Sequence, residues 1–205
     1  MSSKTIERLL EAANASDENN TSVNLAKRQF LEEAGASQFY ESVKSDLLNI
    51  RQWGRSSSAT SYELFDRDGK KAVDGRIEIG NFIRINLYGS GKYDWVEVIS
   101  VTDESSEFVI TVKPSFDPTE DPVDTSRTSH FFGPEARNNF CLQLEGKTVA
   151  MYVIGLNENQ NTKFAEGLIE SARNAAVANV GYYSGLQKAV WKEFCKNFLE
   201  PENKN

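Results

Sequence analysis

The spacing of apolar residues changes from a period of about 3.6 to a period of two near residue 60 and back after residue 160, and the first of these switches constrains the fold most. Before it, Ile6, Leu9, Leu10 and Ala13 fall on one face of a helix over residues 3–15, with Ser2 and Ser3 available as caps. A polar stretch, residues 15–21, predicts a turn, after which Ser22 is expected to cap a second helix through Leu25, Phe30 and Leu31 to Gly35. A third helical stripe, residues 36–53, carries Phe39, Tyr40, Val43, Leu47 and Ile50, with Gly54 expected as its left-handed cap.

After residues 55–60 the alternation predicts strands at 62–65, 76–87, 94–101 and 108–113. Turn chemistry at Asp68-Gly69, at Gly89-Ser90-Gly91 and over residues 103–107 joins them into an antiparallel meander, and Gly80 is expected at a bulge or bend. Residues 114–134 hold Pro114, Pro118, Pro122 and Pro134 among acidic side chains and read as a long loop. A hairpin follows at 139–144 and 148–156, whose second strand is apolar nearly throughout, as in a strand covered on both faces. Two helices are expected to close the chain. One spans 162–180 and ends at Gly181; the other opens with the capping box Ser184 to Gln187, carries Val190, Trp191, Phe194 and Phe198, and stops at Pro201.

Helices segregated from strands along the chain mean an α+β fold. The expected organisation is an N-terminal helical segment (1–54), a β-rich core (55–160) and a C-terminal helix pair packed on that core (161–205). Short strands with glycine corners suggest an antiparallel meander or a small SH3-like or OB-like barrel for the core.

Charge narrows the partners. Thirty acidic against 23 basic residues give a net charge of −7, which repels phosphate backbones and anionic membrane surfaces. Nucleic acid and membrane are therefore not expected partners, although Phe82, Arg84, Tyr88 and Lys92 interleave aromatic and basic groups in the manner of a single-stranded nucleic-acid site. No signal-like apolar core opens the sequence and no apolar run reaches spanning length, so a cytoplasmic location is expected. Cys141 and Cys195 both sit among apolar residues and are read as reduced core side chains.

No metal and no cofactor are expected. One histidine and two distant cysteines exclude the common zinc spacings. Asp66-Arg67-Asp68-Gly69 resembles the start of a calcium loop, but its fifth position is Lys70 and its twelfth Ile77, so the remaining carboxylate ligands are missing. The Gly89-Ser90-Gly91-Lys92 run precedes a strand, where a phosphate loop precedes a helix.

The densest polar cluster is His130 with Arg127, Glu135 and Arg137, next to Phe131 and Phe132. As a catalytic set it would use His130 as a base oriented by Glu135, with Arg137 holding an anion, in a small hydrolase or transferase. No serine or cysteine nucleophile is tied to it by any motif. As a structural set it is a loop end tucked onto the core. The expectation is therefore a non-enzymatic protein-binding or assembly module of a larger complex, of the kind found in toxin–immunity, secretion or phage-like and regulatory systems. Its binding residues would be Trp95, Arg127, His130, Phe131 and Phe132, its partner a protein, with homo-oligomers possible through the N-terminal helices. Asn157 to Asn161 form an amide-rich segment in which Asn161 is expected to cap the following helix.

Overall fold

Alternation along the strands sorts the apolar side chains onto two faces of one sheet. The computed structural model describes residues 4–17, 20–54, 60–87, 93–161 and 180–200. The elements are α1 (Thr5–Ala15), β1 (Ser22–Gln29), α2 (Glu33–Leu47), α3 (Ile50–Trp53), β2 (Thr60–Phe65), β3 (Phe82–Leu87), β4 (Tyr93–Asp103), β5 (Glu107–Pro114), β6 (Arg137–Glu145), β7 (Thr148–Leu156) and α4 (Val180–Leu199). The strands form a single antiparallel sheet in the order β1-β7-β6-β5-β4-β3-β2.

On β5, β6 and β7, the residues Phe108, Ile110, Val112, Phe140, Leu142, Val149, Met151 and Val153 point to the inner face. There they meet Tyr40, Val43 and Leu47 of α2, Trp53 of α3, and Val190, Trp191, Phe194 and Phe198 of α4. The alternate residues Val109, Cys141, Ala150, Tyr152 and Ile154 point outward and are covered by Ile6 and Ala13 of α1. A side chain such as Phe140, buried among Trp53, Trp191 and Phe194 with ring centroids 4.5, 5.3 and 5.3 Å away, contributes enough that its truncation costs about 3–5 kcal/mol.

The sheet is not a closed barrel of the SH3 or OB kind. Closure requires the two end strands to pair, whereas β1 and β2 stand at opposite edges and helices fill the concave side. The α+β class holds.

Residues 22–29 are a strand and not the second helix expected there. Ser22 to Gln29 pair in register with Gly155 to Thr148 of β7. β7 is buried on both faces, so the backbone donors and acceptors along both its edges must be paired, and β6 supplies one partner and β1 the other. Leu31, counted toward the helical stripe, is 93% exposed.

The third helix splits. α2 stops at Leu47, and the Asn49 side chain accepts from the Arg51 N–H to open α3. Gly54 is right-handed (φ −64) and not the left-handed cap expected. The expected strand at 76–87 is confined to Phe82–Leu87, and Gly80, with φ +86, makes the bend anticipated for it. Asp68-Gly69 is a turn in which Asp66 Oδ1 accepts from the N–H groups of Asp68 and Lys70, each at 2.9 Å. It returns the chain only to the Phe65–Lys71 bridge and does not lead directly into β3.

The hairpin of β6 and β7 turns at Gly146 (φ +55), as expected. α4 runs unbroken through Gly181 and Ser184, so no helix ends or starts at these positions. The helix expected at 162–180 and the Gly89-Ser90-Gly91 turn lie outside the described residues. Among the described residues, no helix is long and apolar enough to cross a membrane.

Candidate functional site: an apolar cavity with unpartnered donors

Between the inner face of β2–β6 and the helices lies a cavity with about 40 Å³ of room for the centres of water molecules, where about 10–15 Å³ suffices for one. Its walls are mainly apolar: Trp53 from α3, Tyr62 from β2, Ile85 from β3, Val96 from β4, Val112 from β5, Phe140 from β6, and Val190 and Trp191 from α4. The aromatic wall is continuous. Trp53 meets Tyr62 edge-on at 5.6 Å between centroids, and Phe140 meets Trp53 at 4.5 Å and Trp191 at 5.3 Å. Flat, stiff rings that touch at their edges cannot collapse to fill the space between them.

The polar lining is sparse. Thr60, Asp94, His130 and Asn138 reach the cavity. Among the described residues the Thr60 hydroxyl, the Tyr62 hydroxyl and the Trp191 indole N–H have no hydrogen-bond partner, although each is buried. Thr60 lies near the Tyr62 phenol without closing a hydrogen bond to it. Burial, reinforced by the Glu193 carboxylate and only partly offset by Thr60, holds the Tyr62 phenol far above its ordinary pKa, so it stays a donor.

At one end of the cavity the chain following the long loop is clamped in place. Asn161 Nδ2 donates to the carbonyls of Thr128 and His130, each at 3.1 Å, and Ser129 O accepts from the Trp95 N–H at 2.8 Å. The Phe131 N–H donates to Asp94 Oδ1 at 3.2 Å, and the Phe132 N–H donates to His130 Nδ1 at 2.9 Å. With Nδ1 occupied as an acceptor, the imidazole is neutral with its proton on Nε2. Burial pushes the His130 pKa below its ordinary value, and the Asp94 carboxylate pulls it partly back. Burial raises the Asp94 pKa, while His130 and the Phe131 N–H lower it.

Of the residues singled out in the sequence, His130 and Phe131 line the cavity. Phe132 meets Phe131 edge-on at 5.3 Å and packs with Ala136. Arg127 and Glu135 are exposed, and no ion pair joins Glu135 to His130 among the described residues. Arg137 donates to the carbonyls of Pro134 and Ala136 at 2.8 and 2.6 Å, tying its own turn together. Trp95 is 1% exposed and sits on the other face of β4, packed at 5.0 Å on Phe65 in the second apolar layer. Asn161 locks the 128–130 segment, where helix capping was expected. Thr60, Tyr62, Asp94, Asn138 and Trp191 went unremarked as site residues. Their one sequence signal is parity: Thr60, Asp94 and Asn138 are polar residues at positions that alternation assigns to the buried face.

The architecture recurs in solved structures. A hypothetical protein from Helicobacter pylori shares it with a TM-score of 0.52 at 8% identity, over 91% of this chain and 92% of that one. This is a helix-grip fold. Its elements are the N-terminal helix, the curled seven-stranded antiparallel sheet and the long C-terminal helix. Looser matches include a protein from Arthrobacter aurescens (TM-score 0.46, 12% identity, 92% of this chain and 91% of that one). Another is a point mutant of norcoclaurine synthase from Thalictrum flavum in complex with a transition-state analogue (TM-score 0.40, 8% identity, 86% and 95%). No protein-family model and no curated protein matches the chain.

Proposed function

We propose that this is a non-enzymatic binding protein whose helix-grip cavity takes a small, largely apolar molecule. One observation carries the reading: three buried polar groups, on Thr60, Tyr62 and Trp191, border an apolar cavity without partners among the described residues. Each such group left unsatisfied costs about 1–3 kcal/mol, a penalty that a ligand's polar atom or ordered water would relieve. An acid–base role for His130 with Glu135 has less support, because Glu135 is exposed and the carboxyl within electrostatic reach of the imidazole is that of Asp94.

The test uses the reporters the site already contains. Trp53 and Trp191 both line the cavity, so titration with a panel of single-ring compounds is expected to change tryptophan emission saturably. Val112→Phe, which fills the cavity from β5, is expected to abolish the response while keeping the unfolding free energy within about 1–3 kcal/mol of the parent. No saturable response from any compound would overturn the reading.

A protein-binding role is the second reading, and a different feature favours it. β1 is an edge strand, and Val23 and Leu25 on its outer face are 47% and 43% exposed. An edge of this kind can accept a further strand from a protein partner or from a second copy of the chain. A concentration-dependent change in sedimentation that Leu25→Lys removes would support it.

A further inference from the structure

We propose that His130 is a proton-operated latch: protonation of Nδ1 frees the Phe132 N–H and turns the imidazole out of the cavity wall while the rest of the fold stays closed. The latch stands on the geometry of residues 128–133 and does not require that the cavity take a ligand.

The imidazole does here what an aspartate or asparagine oxygen does in a tight turn. Its Nδ1 accepts the N–H of the residue two places on, Phe132, at 2.9 Å. Accepting that bond fixes the tautomer, so Nε2 already carries the ring's proton and a second proton can enter only at Nδ1. Once there, it points a donor at a donor. The hydrogen bond is lost, and an imidazolium and an amide N–H, both on buried residues, are left facing each other.

The neighbouring bonds decide how far the change spreads. The carbonyls of residues 128–131 are held by groups that do not titrate: Thr128 and His130 by the Asn161 side chain, Phe131 by the Asn161 N–H at 2.8 Å, and Ser129 by the Trp95 N–H. The Ser129 N–H donates to Ser115 O and the Gly133 N–H to Asn159 O, each at 2.8 Å. The N–H groups of Phe131 and Phe132 are the ones that rest on ionisable side chains, those of Asp94 and His130. Acid therefore unfastens the ring and leaves the backbone around it tethered.

Charge around the ring sets where it goes. Among the described cavity residues Asp94 of β4 carries the charge that acts on His130, while Tyr62 of β2, Asn138 of β6 and Trp191 of α4 are neutral. Behind them stand two further carboxylates, Glu158, bonded to the Asn138 amide, and Glu193 of α4, which acts on the Tyr62 phenol. Desolvation outweighs the pull of Asp94 on His130, so the imidazolium is less stable inside than in water. It leaves for solvent, and the wall that it shares with Phe131 opens.

Amide exchange followed by NMR between pH 7.5 and 5 tests the latch without any ligand, so its failure leaves the binding reading in place. After correction for intrinsic exchange, the protection of Phe132 is expected to lie at least about tenfold below that of Val149 to Ile154 at every pH. It is also expected to fall about tenfold per pH unit below about 6.5, because opening takes up one proton. The ring nitrogens give a second reading in the parent protein: at pH 7.5 Nε2 is expected to be protonated and Nδ1 bare. His130→Asn keeps an acceptor for the Phe132 N–H and cannot titrate, so its Phe132 protection should not fall faster than that of β7. Phe132 protection equal to that of β7 throughout would mean that global unfolding alone admits the proton. Low protection that ignores pH, a proton on Nδ1 at pH 7.5, or an unchanged pH slope in His130→Asn would mean that the segment opens without a latch. Any one of these results overturns the inference.

Discussion

The Glu107 carboxylate on β5 accepts the backbone N–H of Thr5, 3.0 Å away, and so closes the first turn of α1 onto the outer face of the sheet. The Ile6 N–H points to the same oxygen at 3.4 Å. The helix has no local side-chain cap, since Lys4 at its N-cap position makes none, and a carboxylate from a strand far along the chain does that work. A negative group at a helix N-terminus also complements the helix dipole.

Glu107→Ala is accordingly expected to destabilise the protein by about 1–3 kcal/mol, because it strands two amide donors and removes the favourable charge. Urea denaturation measures the loss. Amide exchange in residues 5–9 should accelerate more than exchange in β6 or β7, and uniform acceleration would show that α1 is not docked through this contact.

Asn161→Ala should loosen the chain around His130. One side-chain amide holds the carbonyls of both Thr128 and His130, so its removal is expected to cost about 1–2 kcal/mol. Limited proteolysis reads the effect: cleavage within residues 115–130 should become faster than in the parent. Unchanged cleavage would mean that the Trp95 and Phe131 backbone hydrogen bonds suffice to hold the segment.

Acid should destabilise the fold through His130. Its folded pKa lies below the ordinary 6.5, so the unfolded chain binds the proton more readily. Stability from this group is complete above about 6.5 and is lost as pH falls from there toward the folded value. Asp94 acts in the opposite sense: its folded pKa lies above the ordinary 3.8, so it favours folding progressively as pH falls through the folded value toward 3.8. Urea midpoints measured between pH 8 and 5 should fall in the parent and fall less in His130→Gln. Parallel curves for the two proteins would refute the assignment.

Much of this architecture was legible because it is written in short-range periods. α1 follows from Ile6, Leu9, Leu10 and Ala13, and the β6–β7 hairpin from alternation around Gly146. β1 was not legible. Its eight residues contain Lys27, Arg28 and Gln29, and an edge strand with one exposed face carries too little apolar pattern to separate it from a helix. Likewise Gly181 marks a helix end in a propensity argument, yet α4 runs through it. Packing of Val190, Trp191 and Phe194 against the sheet outweighs the roughly 1 kcal/mol that glycine costs inside a helix.

The sequence by itself determined the α+β class, the antiparallel strands of the middle and the long proline-rich loop. It also settled the net charge of −7, which no fold could reverse. Only the tertiary structure decided that the sheet stays open and closes on helices, and that His130 faces Asp94 while Glu135 stays in solvent. It alone brought Thr60, Tyr62 and Trp191 around one cavity. The reason is physical: periodicity reports which face of an element is buried, whereas a site is made by elements that meet only when the sheet curls around α4, and no local pattern records that meeting.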